Sequence, residues 1–373
     1  MVSHPIWAEI DLSAIKNNIK EIRRITNPKS QVMAVVKANA YGHGSVEVSK
    51  VCLENGADSL AVARSTEALE LRNAGITCPI LVFGYVTEEE ILKMVENDIT
   101  LTVYSLEIAN SIQKIAEKLG KHSKIHIKVD TGMSRLGFLP EKSSVETIKK
   151  IRELKNIEVE GIYTHFADAD NSDKTYTTMQ FSKFTSFLHD LEENGINIPI
   201  KHASNSAAII DHPETHLNMV RPGIILYGLY PSELVHKERI NLQPAMSLKV
   251  LVTHVKDVPE NTKISYGCTF ETKKQSKIAS LPIGYADGFT RMLKNGNVLI
   301  HGSRVPVVGR ICMDQCMIDV SGIENVNVGD VVTVFGKDGN EKISLEEFGN
   351  KLGTINYELV CMVSARVPRI YLH

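Results

Sequence analysis

The chain predicts an α/β fold, with an N-terminal (β/α)8 TIM-type barrel followed by a mainly β C-terminal domain. Short apolar, β-branched runs alternate with longer amphipathic stretches up to about residue 230, and eight such runs are present. Beyond about residue 240 the texture changes to β-branched alternation without long helices. With 373 residues the chain exceeds one average domain, and the expected division is 1–235 for the barrel and 236–373 for the second domain.

The first expected element is a helix over Leu12–Ile25, where Asp11 is placed to cap the N-terminus. The eight expected strands are Val32–Val36, Ser59–Val62, Ile80–Phe83, Leu101–Val103, Ile125–Val129, Val159–Tyr163, Ile200–His202 and the region Met219–Ile225. A further helix is expected over Thr178–Asn194, whose apolar positions recur at helical spacing. The polar stretch Pro231–Asn241 is the linker candidate. After it, Ser247–Val255, Lys277–Leu281, Asn297–Ile300, Val305–Val308, Cys316–Asp319 and Asp330–Val334 read as strands divided by turns such as Lys294-Asn295-Gly296.

A net charge of −2 and a hydrophobic fraction of 43% make no electrostatic case for nucleic acid or an anionic membrane, so small molecules and a second copy of the chain are the expected partners. The N-terminus shows no leader, no window suits a membrane span, and a cytoplasmic location is the expectation. Six cysteines occur without a Cys-x-x-Cys pair, which disfavours a disulfide framework and a zinc site. His212 and His216 have helical i,i+4 spacing, but Pro213 lies between them and no third ligand is evident, so no metal is expected.

The chemistry concentrates where the strands end. Lys37 follows the apolar run Ala34-Val35-Val36 and precedes Ala38-Asn39-Ala40-Tyr41-Gly42-His43-Gly44. A cation there is costly unless it is used, and a lysine desolvated at the C-terminal edge of a barrel has its pKa lowered toward the nucleophilic amine that a Schiff base needs. A lysine snorkelling to solvent is the other reading of this motif by itself. Further functional side chains follow other strands: Lys128-Val129-Asp130-Thr131-Gly132-Met133-Ser134-Arg135, Thr164-His165-Phe166, His202-Ala203-Ser204-Asn205-Ser206, and Arg221-Pro222-Gly223-Ile224. Asn205, Ser206, Gly223 and Ile224 make a phosphate cradle of the sort built in the last loops of barrels.

These motifs, with Ser265-Tyr266-Gly267 and Gly309-Arg310-Ile311-Cys312-Met313-Asp314, resemble over essentially the whole length those of the alanine racemases, pyridoxal 5′-phosphate (PLP) enzymes with a barrel and a C-terminal β domain. The resemblance implies that Lys37 is the Schiff-base lysine and Tyr266 the opposing catalytic base, the two meeting across a homodimer interface in shared active sites. Racemisation needs acids and bases on opposite faces of a planar carbanion, Lys37 handling the D-side proton and Tyr266 the L-side proton. A tyrosine base needs neighbours that favour its phenolate, and cationic His165 or Arg221 would supply that. Arg221 implies a permanently charged partner for the pyridine nitrogen, buttressed by His202.

By the same likeness, Arg135 contacts the cofactor and the substrate carboxylate. Lys128 behind it is a candidate for carbamylation, which would turn a repelling ammonium into an anion that holds the arginine. Tyr41 and Tyr357 are implied phosphate contacts, and Cys312, Met313 and Asp314 lie near the substrate. Tyr285, Asp170, Arg291 and Arg310 would shape the entrance. The implied function is interconversion of L- and D-alanine, with D-alanine supplied for peptidoglycan where the source is bacterial. A broader-specificity or serine racemase of the same family is the main alternative, and a PLP decarboxylase or a noncatalytic PLP carrier stands further off.

Overall fold

A computed structural model describes residues 4–373. Eight parallel strands close into a barrel in chain order: β2 Gln31–Val35, β3 Ser59–Val62, β4 Ile80–Val82, β5 Thr100–Val103, β6 Ser123–Lys128, β7 Ile157–Tyr163, β8 Ile200–His202 and β9 Met219–Val220. Each expected run supplies one strand. The last is shorter than Met219–Ile225, because Pro222 has no N–H for a ladder and the chain turns into a 3-10 helix at Ile224–Tyr227. Strands β3 to β5 are buried at every position, as covering on both faces requires. Closure brings β9 beside β2, with Val32 opposite Val220, so the chain following Val220 runs next to the chain following Val35.

Helix α1, Leu12–Ile25, has the predicted limits. Ile15, Ile19 and Ile22 repeat every three to four residues and are fully buried, each contributing about 1.5–3 kcal/mol by removal of apolar surface from water. Arg23 and Arg24 occupy its last turn, where cations suit the helix dipole. The expected helix near residue 178 starts earlier, at Thr175, and runs to Glu193.

The chain forms two compact units. One comprises Ala14–Ala40 and Gly44–Pro244; the other comprises 4–13, Tyr41–His43 and Ala245–His373. The stretch 231–241, expected as a linker, is instead bound into the barrel unit: Arg24 donates to Arg239 O (2.8 Å), Asn17 donates to Asn241 O (3.1 Å), and Asn241 N–H donates to Glu21 (3.0 Å). A strand not expected from the sequence, β1 at Ile6–Asp11, belongs to the other unit. It lies between Met246–Leu251, antiparallel, and Arg369–Leu372, parallel, in a ten-stranded sheet. Ser247–Val255, read as one strand, is two, Met246–Leu251 and His254–Val258, and two short helices, Leu345–Leu352 and Asn356–Met362, lie in the chain between the sheet strands Glu341–Ile343 and Arg369–Leu372. Among the described residues no helix is long and apolar enough to cross a membrane.

Candidate active site

The barrel unit collects its polar side chains at one edge. Lys37 follows β2, Lys128 ends β6, Arg135 lies in the loop after β6, His165 follows β7, His202 ends β8 and Arg221 follows β9. All six occupy C-terminal strand ends, the edge at which barrel enzymes assemble their sites.

Lys37 opens an unusual turn. Ala38, Asn39, Ala40 and Tyr41 all have φ between +51° and +53°, a left-handed conformation costing about 1–2 kcal/mol per non-glycine residue. Side chains hold it there. Glu67 accepts the Ala38 N–H with one carboxylate oxygen and the Ala63 and Arg64 N–H groups with the other (2.8 and 2.9 Å), while Asn39 Oδ1 accepts the Ser45 N–H (2.8 Å). Strain maintained by dedicated hydrogen bonds beside a lysine is the kind that active sites retain. Ala38→Gly at this exposed position should therefore raise unfolding stability by about 0.5–1 kcal/mol, read from denaturant midpoints, because the backbone conformation costs glycine little.

Arg221 is buried, and its guanidinium is tightly held. Nη1 donates to His202 Nδ1 (2.9 Å), and Nη2 donates to Thr164 O (2.8 Å) and Ala203 O (2.9 Å) and lies 3.4 Å from His165 Nδ1. Its Nε–H makes no hydrogen bond to the described residues. The guanidinium carbon sits 5.2 Å from the centre of the Tyr163 ring, which stacks on His202 at 4.8 Å. Burial lowers the Arg221 pKa to about 10, so it stays cationic at neutral pH.

His202 Nε2 is 2.9 Å from His126 Nδ1, and His126 Nε2 is 3.5 Å from Glu160, which also binds Lys124 (2.6 Å). His126, Glu160, Tyr163 and Glu67 were not singled out in the sequence. The signal for His126 was available, since it lies two residues before Lys128 on one strand and therefore faces the same side.

Lys128 is buried and donates to Val129 O (2.6 Å); desolvation, then Arg221 and Arg135, lowers its pKa to about 8. His165, expected among the cations, is held neutral: burial first, then the charges of Arg221, Arg135, Lys128 and Lys37, push its pKa well below the usual histidine value. The exposed Arg135 loop is shaped by Asp130, whose Oδ1 accepts the Gly132 and Ser134 N–H groups (3.0 Å each).

Opposite ends of the cradle sequence also meet. Asn205 Oδ1 caps the helix Ser206–Asp211 by accepting the Ala208 N–H (3.1 Å). Ser206 Oγ accepts the Gly223 N–H (2.9 Å), and Ile224 begins a 3-10 turn whose first N–H groups have no partner inside the turn. Four basic side chains at one barrel edge, a serine hydroxyl with its proton still to donate, and an unused arginine N–H fit a phosphorylated, anionic pyridine cofactor. Asp170 lies nearby in sequence, and its backbone carbonyl accepts from Ser232 (3.4 Å).

The second unit presents a separate group. Ser265, Tyr266, Cys312, Met313, Asp314, Gln315 and Met317 line an open cleft of about 420 Å³. Tyr266 is 69% exposed and Met313 53%. Ser265, immediately before the tyrosine, adopts φ 66° and ψ −178°, a combination normally left to glycine, and its hydroxyl donates to Arg310 O (2.6 Å). Tyr285 and Ala286 donate their N–H groups to the Cys312 and Met313 carbonyls (3.1 Å each), and any Cβ on Gly284 would collide with those same carbonyls. Arg366, another residue without a sequence signal, donates to Asp314 (2.8 Å) and lies 3.4 Å from Asp287. Tyr41 and Tyr357 pack ring to ring in this unit at 6.2 Å, with burial raising the Tyr41 pKa. Arg291 and Arg310 are exposed and form no ion pair among the described residues.

Residues 10–231 match the family model for the alanine racemase N-terminal domain, and residues 245–371 that for the C-terminal domain. An alanine racemase of Methanococcus maripaludis is 97% identical over the full length of both chains. Among solved structures, alanine racemase from Clostridium difficile 630 superposes with a TM-score of 0.97 at 47% identity, covering 100% of this chain and 97% of that one. The enzyme from Bacillus anthracis with bound L-Ala-P gives 0.94 at 42% identity, covering 100% and 96%. Fold, strand-edge chemistry and both halves of the sequence therefore agree that the chain belongs to the alanine racemase family and is an enzyme of that kind.

Proposed function

We propose that the chain interconverts L- and D-alanine by a two-base mechanism with PLP held at the barrel edge. The observation that carries this reading is the gathering of Lys37, Lys128, Arg135, His165 and Arg221 at or after the C-terminal ends of the strands of one closed barrel, with Arg221 Nη2 3.4 Å from His165 Nδ1. Bound there, PLP would draw electrons from the substrate's Cα and so acidify its α-hydrogen.

The chain's own groups divide the remaining work. Lys37 would carry the cofactor and move the proton on the D-side face, and Tyr266 would move it on the L-side face. Arg135 and the Met313 region would hold the substrate carboxylate. Asn205, Ser206, Gly223, Ile224, Tyr41 and Tyr357 would hold the phosphate. Arg221 can donate but never accept, so a pyridine nitrogen that took its spare N–H would stay unprotonated. That weakens electron withdrawal and favours simple return of the proton over side reactions. The same charge counts against the decarboxylase alternative, which would place a carboxylate at this nitrogen.

Tyr266 and Met313 stand exposed on the single chain, consistent with a homodimer in which Tyr266 completes the partner subunit's site. Lys128, with a pKa near 8, offers neutral amine to carbon dioxide, and the resulting carbamate would give Arg135 an anionic partner. Incubation with 13C-labelled carbon dioxide should give a carbamate carbon signal that grows as pH rises through about 8 and is absent in Lys128→Ala.

Chiral chromatography with mass analysis of L-alanine incubated with the protein and PLP in D2O tests the reaction. Deuterated D-alanine supports it; no exchange at all refutes the assignment to alanine.

A further inference from the structure

We propose that Glu160 is a positioning residue for the Arg221 guanidinium, acting across the barrel interior through His126 and His202. The catalytic consequence rests on the reading that Arg221 faces the cofactor; the relay itself stands on geometry.

The four groups follow one another at short distances. Arg221 Nη1 is 2.9 Å from His202 Nδ1, His202 Nε2 is 2.9 Å from His126 Nδ1, and His126 Nε2 is 3.5 Å from Glu160 Oε2, at the outer limit of a hydrogen bond. Arginine has no acceptor, so His202 Nδ1 must accept and its ring proton must sit on Nε2. That proton points at His126 Nδ1, which must accept in turn, leaving the His126 proton on Nε2. There it faces a carboxylate, an acceptor-only group when ionised. Each end of the chain demands the same direction, and neither histidine needs a charge.

Two further features indicate a built arrangement. Gly161 leaves the space the His126 ring fills: a Cβ at that position would stand 2.6 Å from His126 Cε1 and Nδ1. Lys124 fixes Glu160 from the other side at 2.6 Å. Burial, the largest influence on both rings, disfavours their charged forms, and the bond from His126 helps hold Glu160 ionised, with a pKa of about 2. Without an acceptor at 160 the buried His126 Nε2–H loses its partner, and only the demand from Arg221 is left to hold the proton there. Its other tautomer would set N–H against N–H at His202, and the conflict passes to Arg221.

The test is two-bond 1H–15N NMR of the full-length, PLP-loaded protein labelled at histidine, beside steady-state kinetics. In the parent, His126 and His202 are expected as neutral Nε2–H tautomers. Glu160→Leu should move both toward Nδ1–H and lower kcat about ten- to a hundredfold, with KM for alanine changed less than about twofold, because the effect reaches the site through Arg221. Glu160→Gln, whose side-chain oxygen accepts the same bond, should retain both tautomers and most of kcat.

His202 found as the Nδ1–H form or as imidazolium in the parent would overturn the relay, whether or not the leucine variant folds. So would a leucine variant with unchanged tautomers, or a glutamine variant as impaired as the leucine one. A parent with the expected tautomers and no racemisation would instead refute the function proposed above and leave the relay standing.

Discussion

Replacing Tyr266 with phenylalanine should lower alanine racemisation about 10²- to 10⁴-fold, the range associated with loss of a positioned acid–base group. The same change should alter folding stability by less than about 0.5 kcal/mol, since the side chain is 69% exposed. The two-base scheme makes a sharper statement about exchange. With Tyr266 gone, Lys37 still reaches the D-side hydrogen, so D-alanine in D2O should exchange its α-hydrogen with retention while L-alanine exchanges hardly at all. A single base serving both faces would leave the two enantiomers exchanging alike. Chiral separation followed by mass analysis reads both quantities in one experiment.

Arg221→Met should be the most destabilising of the site substitutions, by about 3–5 kcal/mol, and should lower the thermal midpoint by roughly 4–6 °C. The guanidinium satisfies His202 Nδ1 and the carbonyls of Thr164 and Ala203 in a buried setting. Methionine fills much of the volume but donates to none of them, and each orphaned acceptor costs about 1–3 kcal/mol. Arg221→Lys should fall between the two, because an ammonium keeps the charge but cannot present the planar fork. Thermal unfolding of the three proteins at one PLP concentration checks the order.

What was legible in the sequence was local. Most barrel strands are short apolar or β-branched runs, and the motif residues lie at or just after their ends, so Lys37, Lys128, His165, His202 and Arg221 could be placed at one edge from the sequence. Strand β1 was not legible because its partners, Met246–Leu251 and Arg369–Leu372, come from the far end of the chain and nothing in Ile6–Asp11 names them. The same holds for the attachment of 231–241 to α1, which depends on single hydrogen bonds from Arg24 and Asn17. Glu67 and Glu160 carry no motif that marks them; only the structure shows one accepting three backbone N–H groups and the other lying 3.5 Å from the buried His126 ring. The charge of His165 also lay beyond a reading of motifs, since it depends on how many cations converge on it.

The most direct test of the account mixes two inactive variants, Lys37→Ala and Tyr266→Phe, under conditions that allow subunit exchange, and measures racemisation. If each site takes its lysine from one chain and its tyrosine from the partner, half of the dimers are mixed and carry one intact site of two, so about a quarter of parental activity should return. If both bases act within one chain no mixture contains a complete site, and activity that stays at the level of the separate variants after confirmed exchange would contradict the account.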